Sequence, residues 1–256
     1  MSKINKGILK NIWLIVVILV TWQIVQRNST NPYFPSPLRI FEVVKPQLNS
    51  GWILSYLIPT VKVFVCGFIG GTALGVIAGS LLTLSRNCEV IVMPIANFIR
   101  SIPSVAKIPL FIALFGLGTS SRIATVAFTV FFQILLVTVR SIKDTDSNFL
   151  DVARLLKFKP IVSLVRVKLP ASAPSILIGV QSAMNVALLV TVASEILGSF
   201  NGIGAYISHA QAVYQIANIW FACFVLGILG ILLNALILGL GILIVPWRRE
   251  GELIDG

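Results

Sequence analysis

The sequence predicts an all-α integral membrane protein with about six transmembrane helices. Composition is the first reason. The 256-residue chain is 57% hydrophobic and only 11% charged, against about 25% charged residues in soluble domains. Its mean hydropathy is +0.95. The second reason is six mainly apolar runs, each near the roughly 20 residues that cross a bilayer. The third is charge placement, which sorts the runs into two sides.

The runs fall at 8–25, 61–84, 90–115, 121–139, 173–195 and 220–246, in a single membrane domain over 1–256. The first begins with Lys3, Lys6 and Lys10 and resembles a signal peptide. No small-residue cleavage site follows, because the chain continues "QRNSTNPYFPSP". It reads as a retained first helix. The second carries Gly67, Gly71, Gly75 and Gly79 at a constant spacing of four. Such a stripe makes one smooth helix face that another helix can approach closely. The third contains "RSIPSVAKIPLF", whose Pro103 and Pro109 kink or break a helix. Broken backbone at membrane depth is tolerated where protein buries it or a cavity solvates it. Between the fifth and sixth runs, "NGIGAYISHAQAVYQIAN" is too polar to span and reads as a loop with a short interfacial helix.

Six spans put both termini on one side. With that side cytoplasmic, the inner segments hold thirteen of the twenty Lys and Arg and the outer segments hold four, Arg27, Arg39, Lys45 and Arg122, the last at the very edge of the fourth run. This is the positive-inside pattern. The net charge of +11 is therefore explained by topology, and a nucleic-acid partner is not needed. Cys66, Cys88 and Cys223 form no CxxC pair and read as packing residues. His209 has no nearby second ligand, so no metal site is expected.

Most of the inner charge sits in a cytoplasmic loop at about 140–172. "KDTDSN" supplies turn and cap residues. Phe149, Val152, Ala153 and Leu156 then recur at i, i+3, i+4 and i+7, one apolar helix face. Pro160 limits this helix. A second short amphipathic piece follows, with Ile161, Leu164 and Val165 on one face, and Pro170 marks the start of the next span. Two readings stay open on physics alone: a basic loop resting on anionic membrane lipid, or an element that docks a soluble partner.

Ionisable residues inside spans are functional candidates. Arg100 and Lys107 lie seven apart, and Glu195 ends the fifth run. In one reading Arg100 or Lys107 lines a pathway for an anion, balanced by Glu195, with Ser101 and Ser104 offering hydroxyls. In the other they form interhelical ion pairs or snorkel to the interface.

The loop resembles the EAA motif of permease subunits in bacterial ABC importers. Asp151, Val152 and Ala153 stand at its first three positions and Lys157 at its glycine. Val167 stands at its isoleucine, and Leu169 with Pro170 closes it at the motif's spacing. "FPSPLRIFEVV", "RSIPSVAKIPLF", "ALFGLGTSSR" and "GSFNGIGAYI", with "TWQ" and Trp247, are similar to segments of nitrate, sulfonate and taurine permeases of the type I, binding-protein-dependent class. The resemblance implies a homodimer in the bacterial cytoplasmic (inner) membrane. It also implies ABC ATPase subunits and an extracytoplasmic substrate-binding protein as partners. Coupling helices would be built from Asp151, Val152, Ala153, Leu156, Lys157, Val167, Leu169 and Pro170. The cargo would be a small anion or organic acid. This chain would carry no cofactor and no catalytic residue, with ATP and Mg on the partner ATPase. No Gly-Lys dipeptide occurs, so a GxxxxGK[ST] phosphate loop is absent. A stand-alone secondary transporter or channel is the rival; it would show internal repeat symmetry, and none is visible. A membrane protease is disfavoured by the lack of HExxH and GxSxG.

Overall fold

The computed structural model describes residues 2–27, 31 and 33–246. Trp247, Arg248 and Arg249 lie outside the described residues, as do the side chains of Lys3, Lys6, Lys10, Val152 and Arg154. Every described element is helical: α1 (Ser2–Arg27), α2 (Pro37–Asn49), α3 (Ile58–Leu82), α4 (Arg86–Ser101), α5 (Ile108–Phe115), α6 (Thr119–Lys143), α7 (Ser147–Leu155), α8 (Pro160–Ser163), α9 (Leu169–Gly198), α10 (Ile203–Ala212) and α11 (Ile216–Ile244).

Among the described residues, four helical stretches are long and apolar enough to cross a membrane: Ile53–Leu82, Thr119–Lys143, Pro160–Gly198 and Ile216–Ile244. The expected span at 90–115 is a bent pair, α4 and Ser104–Phe115, meeting at 95°. The expected span at 8–25 lies within α1, whose segment Val16–Arg27 is a shorter apolar helix.

The two prolines of the third run act differently. A proline pushes the preceding residue out of helical backbone. Ile102, before Pro103, has φ −69° and ψ 126°, so α4 ends at Ser101. A 3-10 turn over Ser104–Lys107 follows. Pro109 breaks nothing, because it occupies the first turn of α5, where its missing N–H has no intrahelical role.

Two π-turns, Ile53–Leu57 and Leu164–Lys168, run directly into α3 and α9. Each ends shortly before a proline, Pro59 or Pro170, that a regular helix accommodates poorly. Pro170 therefore does not begin a separate helix. Residues 160–198 are continuous, which corrects the expectation of a short loop helix followed by a new span.

The core lies where α3, α6, α9 and α11 meet. Val63, Phe64, Val126, Val130, Ile134, Ala183, Met184, Ala187 and Val190 are buried there. The glycine stripe is spent inside the chain, against α6. Gly67 faces Val126, Gly71 faces Val130, Gly75 faces Ile134 and Gly79 faces Thr138, so the period of four on α3 meets a period of four on α6. A second cluster closes one end of the bundle. Trp52 lies edge-on to Phe221 at 5.0 Å and to Tyr206 at 5.6 Å, with Ile40 and Ile203 beside them. This cluster docks α2 and α10 on α11. Helix α10 is the short helix expected before the last span. Helix α2 was missed, although Ser36 followed by Pro37 is a helix-start signal.

Candidate functional site

Three places bring chemistry-bearing residues together. The first is the α7–α8 turn. Lys157 has φ +51°, in the left-handed region. The Phe158 N–H donates to the Ala153 carbonyl at 3.1 Å. This is a Schellman ending, in which the left-handed position is usually glycine. Lysine thus adopts the backbone that glycine would. The chain thus turns between α7 and α8 with a lysine in the left-handed region, at the cost of strain. Replacing Lys157 with Gly should relieve about 1 kcal/mol and raise the thermal midpoint by about 2–4 °C. A lowered midpoint would argue against a strained turn.

Ala153 is buried beneath this turn, but Phe149, Leu155 and Leu156 are 53%, 82% and 59% exposed. Asp151 is also exposed, and Val167, Leu169 and Pro170 are half-buried. The expected face of Phe149, Ala153 and Leu156 is therefore split. Ala153 packs inward, while Phe149 and Leu156 remain open with Leu155.

The second place is the break between α4 and α5. Arg100 is exposed and Ser104 is half-buried. The Ser101 hydroxyl donates to the Asn97 carbonyl at 2.9 Å. Lys107 is 7% exposed, with Nζ 5.8 Å from the Phe128 ring centroid. No carboxylate pairs with Lys107 among the described residues. The 95° bend removes any helix face shared by Arg100 and Lys107.

The third place is Glu195, fully buried near the end of α9. Its partner is Arg122, which the charge count assigned to an outer segment. Arg122 Nη1 lies 3.8 Å from Glu195 Oε1. Neither Arg100 nor Lys107 pairs with Glu195. Oε2 accepts from the Gly204 N–H at 2.9 Å and lies 2.9 Å from the Thr60 hydroxyl. That hydroxyl accepts from the Ile203 N–H at 2.8 Å. The first N–H groups of α10 therefore meet a carboxylate and a hydroxyl, the arrangement that a helix N-terminus favours. Arg122 also donates to the carbonyls of Gly118 and Asn201, at 3.1 and 3.2 Å.

The glycines in this knot are required by space. A methyl group on Gly202 (φ +105°) would overlap the Glu195 carboxylate, and one on Gly204 would overlap the Val192 carbonyl. The segment "GSFNGIGAYI" thus has a physical reason for its glycines. Gly202 also donates to the Ser55 carbonyl at 3.4 Å; Ser55 lies in the π-turn four residues before Pro59, which has no N–H to offer that carbonyl.

The profile of a family described as the inner membrane component of binding-protein-dependent transport systems matches residues 71–250. The putative aliphatic sulfonates transport permease protein SsuC of Bacillus subtilis (strain 168) is 29% identical over 248 residues, covering 96% of this chain and 90% of that protein. The nitrate import permease protein NrtB of Synechococcus elongatus is 24% identical over 247 residues, covering 91% and 88%. Among solved structures, an inward-facing MetNI methionine ABC transporter chain has a similar fold. Its TM-score is 0.64 at 19% identity, covering 75% of this chain and 94% of that one.

Proposed function

We infer that this chain, which belongs to the family of inner membrane components of binding-protein-dependent transport systems, couples substrate passage to ATP hydrolysis on separate subunits. It is a multi-pass permease of the ABC importer class, related to sulfonate and nitrate permeases. The observation that carries the coupling reading is the α7–α8 turn. It combines the EAA-like spacing from Asp151 to Pro170 with exposed Phe149, Leu155 and Leu156. An exposed apolar helix face suits insertion into a partner groove, and a Schellman turn fixes the angle at which that face is presented.

ATP and Mg belong to the ATPase subunits in this reading. ATP binding closes the ATPase pair, moves α7 and α8, and tilts the membrane helices; hydrolysis resets them. A second copy of the chain completes the pathway, and an extracytoplasmic binding protein delivers the cargo. The termini face the cytoplasm, as the Lys and Arg asymmetry supports. The broken segment supplies the pathway lining, with Arg100, Ser101, Ser104 and Lys107 as its polar groups. A buried Lys107 with no carboxylate partner among the described residues supports a small anion or organic acid as cargo. Glu195 is committed to the Arg122 knot and holds the bundle end together.

Deleting residues 149–160 should leave the chain in the membrane but abolish co-purification of the ATPase. A truncated chain that still retains the ATPase would overturn the docking role, and a stand-alone transporter would become the better reading.

A further inference from the structure

Between α4 and α6 lies an open cleft of about 430 Å³ that neither the coupling turn nor the Glu195 knot uses. Glu89, Asn97 and Arg100 line it from α4, and Arg140, Lys143 and Asp144 line it from the end of α6 and just beyond. Its five charges are not equally committed. Lys143 Nζ lies 2.6 Å from Glu89 Oε1, a close pair that ties the two helices. Arg140 and Asp144 lie 3.9 Å apart with both side chains largely exposed, a contact of little strength. Arg100 has no carboxylate partner among the described residues. Three cations against two carboxylates leave the cleft with an excess positive charge, and the guanidinium that carries it is open.

We propose that this cleft is an oxyanion-binding site centred on Arg100, with Asn97 and Arg140 at its margin. A guanidinium offers a planar fork of donors that matches two oxygens of a sulfonate, sulfate or phosphate group. The Asn97 amide donates one hydrogen to the Met93 carbonyl at 2.9 Å, and its second amide hydrogen has no acceptor among the described residues and can serve an anion. The Arg140–Asp144 contact is weak enough to open, so Arg140 can turn to a stronger acceptor. The oxyanion has two sources. One is a free anion on its way through the protein, a role that rests on the transport reading above. The other is the phosphate of an anionic lipid, since basic pockets between membrane helices hold such headgroups.

The test uses the full-length chain with its ATPase subunits, purified as wild type, Arg100→Gln and Lys45→Gln. Arg100 makes no described side-chain bond, so Arg100→Gln should fold. Radiolabelled inorganic sulfate is measured by equilibrium dialysis in zwitterionic lipid. Retained phosphatidylglycerol is counted by native mass spectrometry after delipidation. Arg100→Gln should weaken at least one probe by about tenfold or more, the scale of a charge-assisted hydrogen-bond pair, while Lys45→Gln changes neither. Loss of sulfate alone identifies a free oxyanion, and loss of phosphatidylglycerol alone identifies a lipid headgroup. If wild type binds neither, or Arg100→Gln binds both as wild type does, the site is overturned. Both readouts are of binding, so the proposal survives or fails separately from transport.

Discussion

Replacing Glu195 with Ala should lower the stability of the chain by about 3–5 kcal/mol, the usual cost of removing one member of a buried ion pair. The size follows from what is left behind. Arg122 would keep a charge at 6% exposure, and the Gly204 N–H would lose its acceptor. The Thr60 hydroxyl would lose one of its two acceptors, retaining only the Tyr56 carbonyl at 3.0 Å. Four helices, α3, α6, α9 and α10, would lose a common fastening. Glu195→Gln keeps an oxygen for Gly204 and should lose roughly half as much, because only the charge component is removed. Thermal unfolding of the purified variants in one detergent decides the point. A Glu195→Ala protein as stable as wild type would refute the fastening role.

Gly71→Val should be comparably damaging for a different reason. Even a single methyl at position 71 would lie 2.5 Å from the Ala127 carbonyl oxygen and 2.8 Å from Val130 Cβ. The near atom is backbone, so α3 and α6 must separate. Overpacking of this kind costs about 1–3 kcal/mol or more, and the stripe's other contacts would be lost with it. Gly70 is the control. It sits one residue away on the same helix, with nothing within 4 Å of a methyl group. Gly70→Ala should therefore leave the amount of folded protein after gel filtration unchanged, while Gly71→Val should reduce it sharply. Equal yields would mean that the stripe is not a packing seam.

Features with a repeating pattern were legible in the sequence. The period of four in Gly67, Gly71, Gly75 and Gly79 announces a close helix contact, although only the fold shows that α6 fills it. Helix α7 was legible from the helical spacing of Phe149, Ala153 and Leu156, although the fold buries only Ala153 of the three. Single-residue pairings were not legible. Arg122 follows "GLGTSS" and reads as a loop residue, yet α6 begins at Thr119 and carries it inward to Glu195. No spacing rule links positions 73 residues apart. The 95° bend was half legible. Pro103 and Pro109 look alike in sequence, but only the one whose preceding residue leaves helical backbone ends the helix. Residues 160–198 show the reverse error. Pro170 reads as the start of a new span, while a π-turn just before it joins the preceding helix to that span without a break.

That uninterrupted helix has a mechanical consequence. Its 39 residues make a shaft roughly 58 Å long at 1.5 Å per residue. One end carries the turn that meets the ATPase in our reading, and the other carries the carboxylate that grips Arg122 and α10. A pivot of about 5° at one end displaces the other by roughly 5 Å on this geometry. The give in the shaft lies at the π-turn over Leu164–Lys168, where the backbone is least regular. Stiffening or softening those five residues should change how much of a push at one face of the membrane arrives at the other.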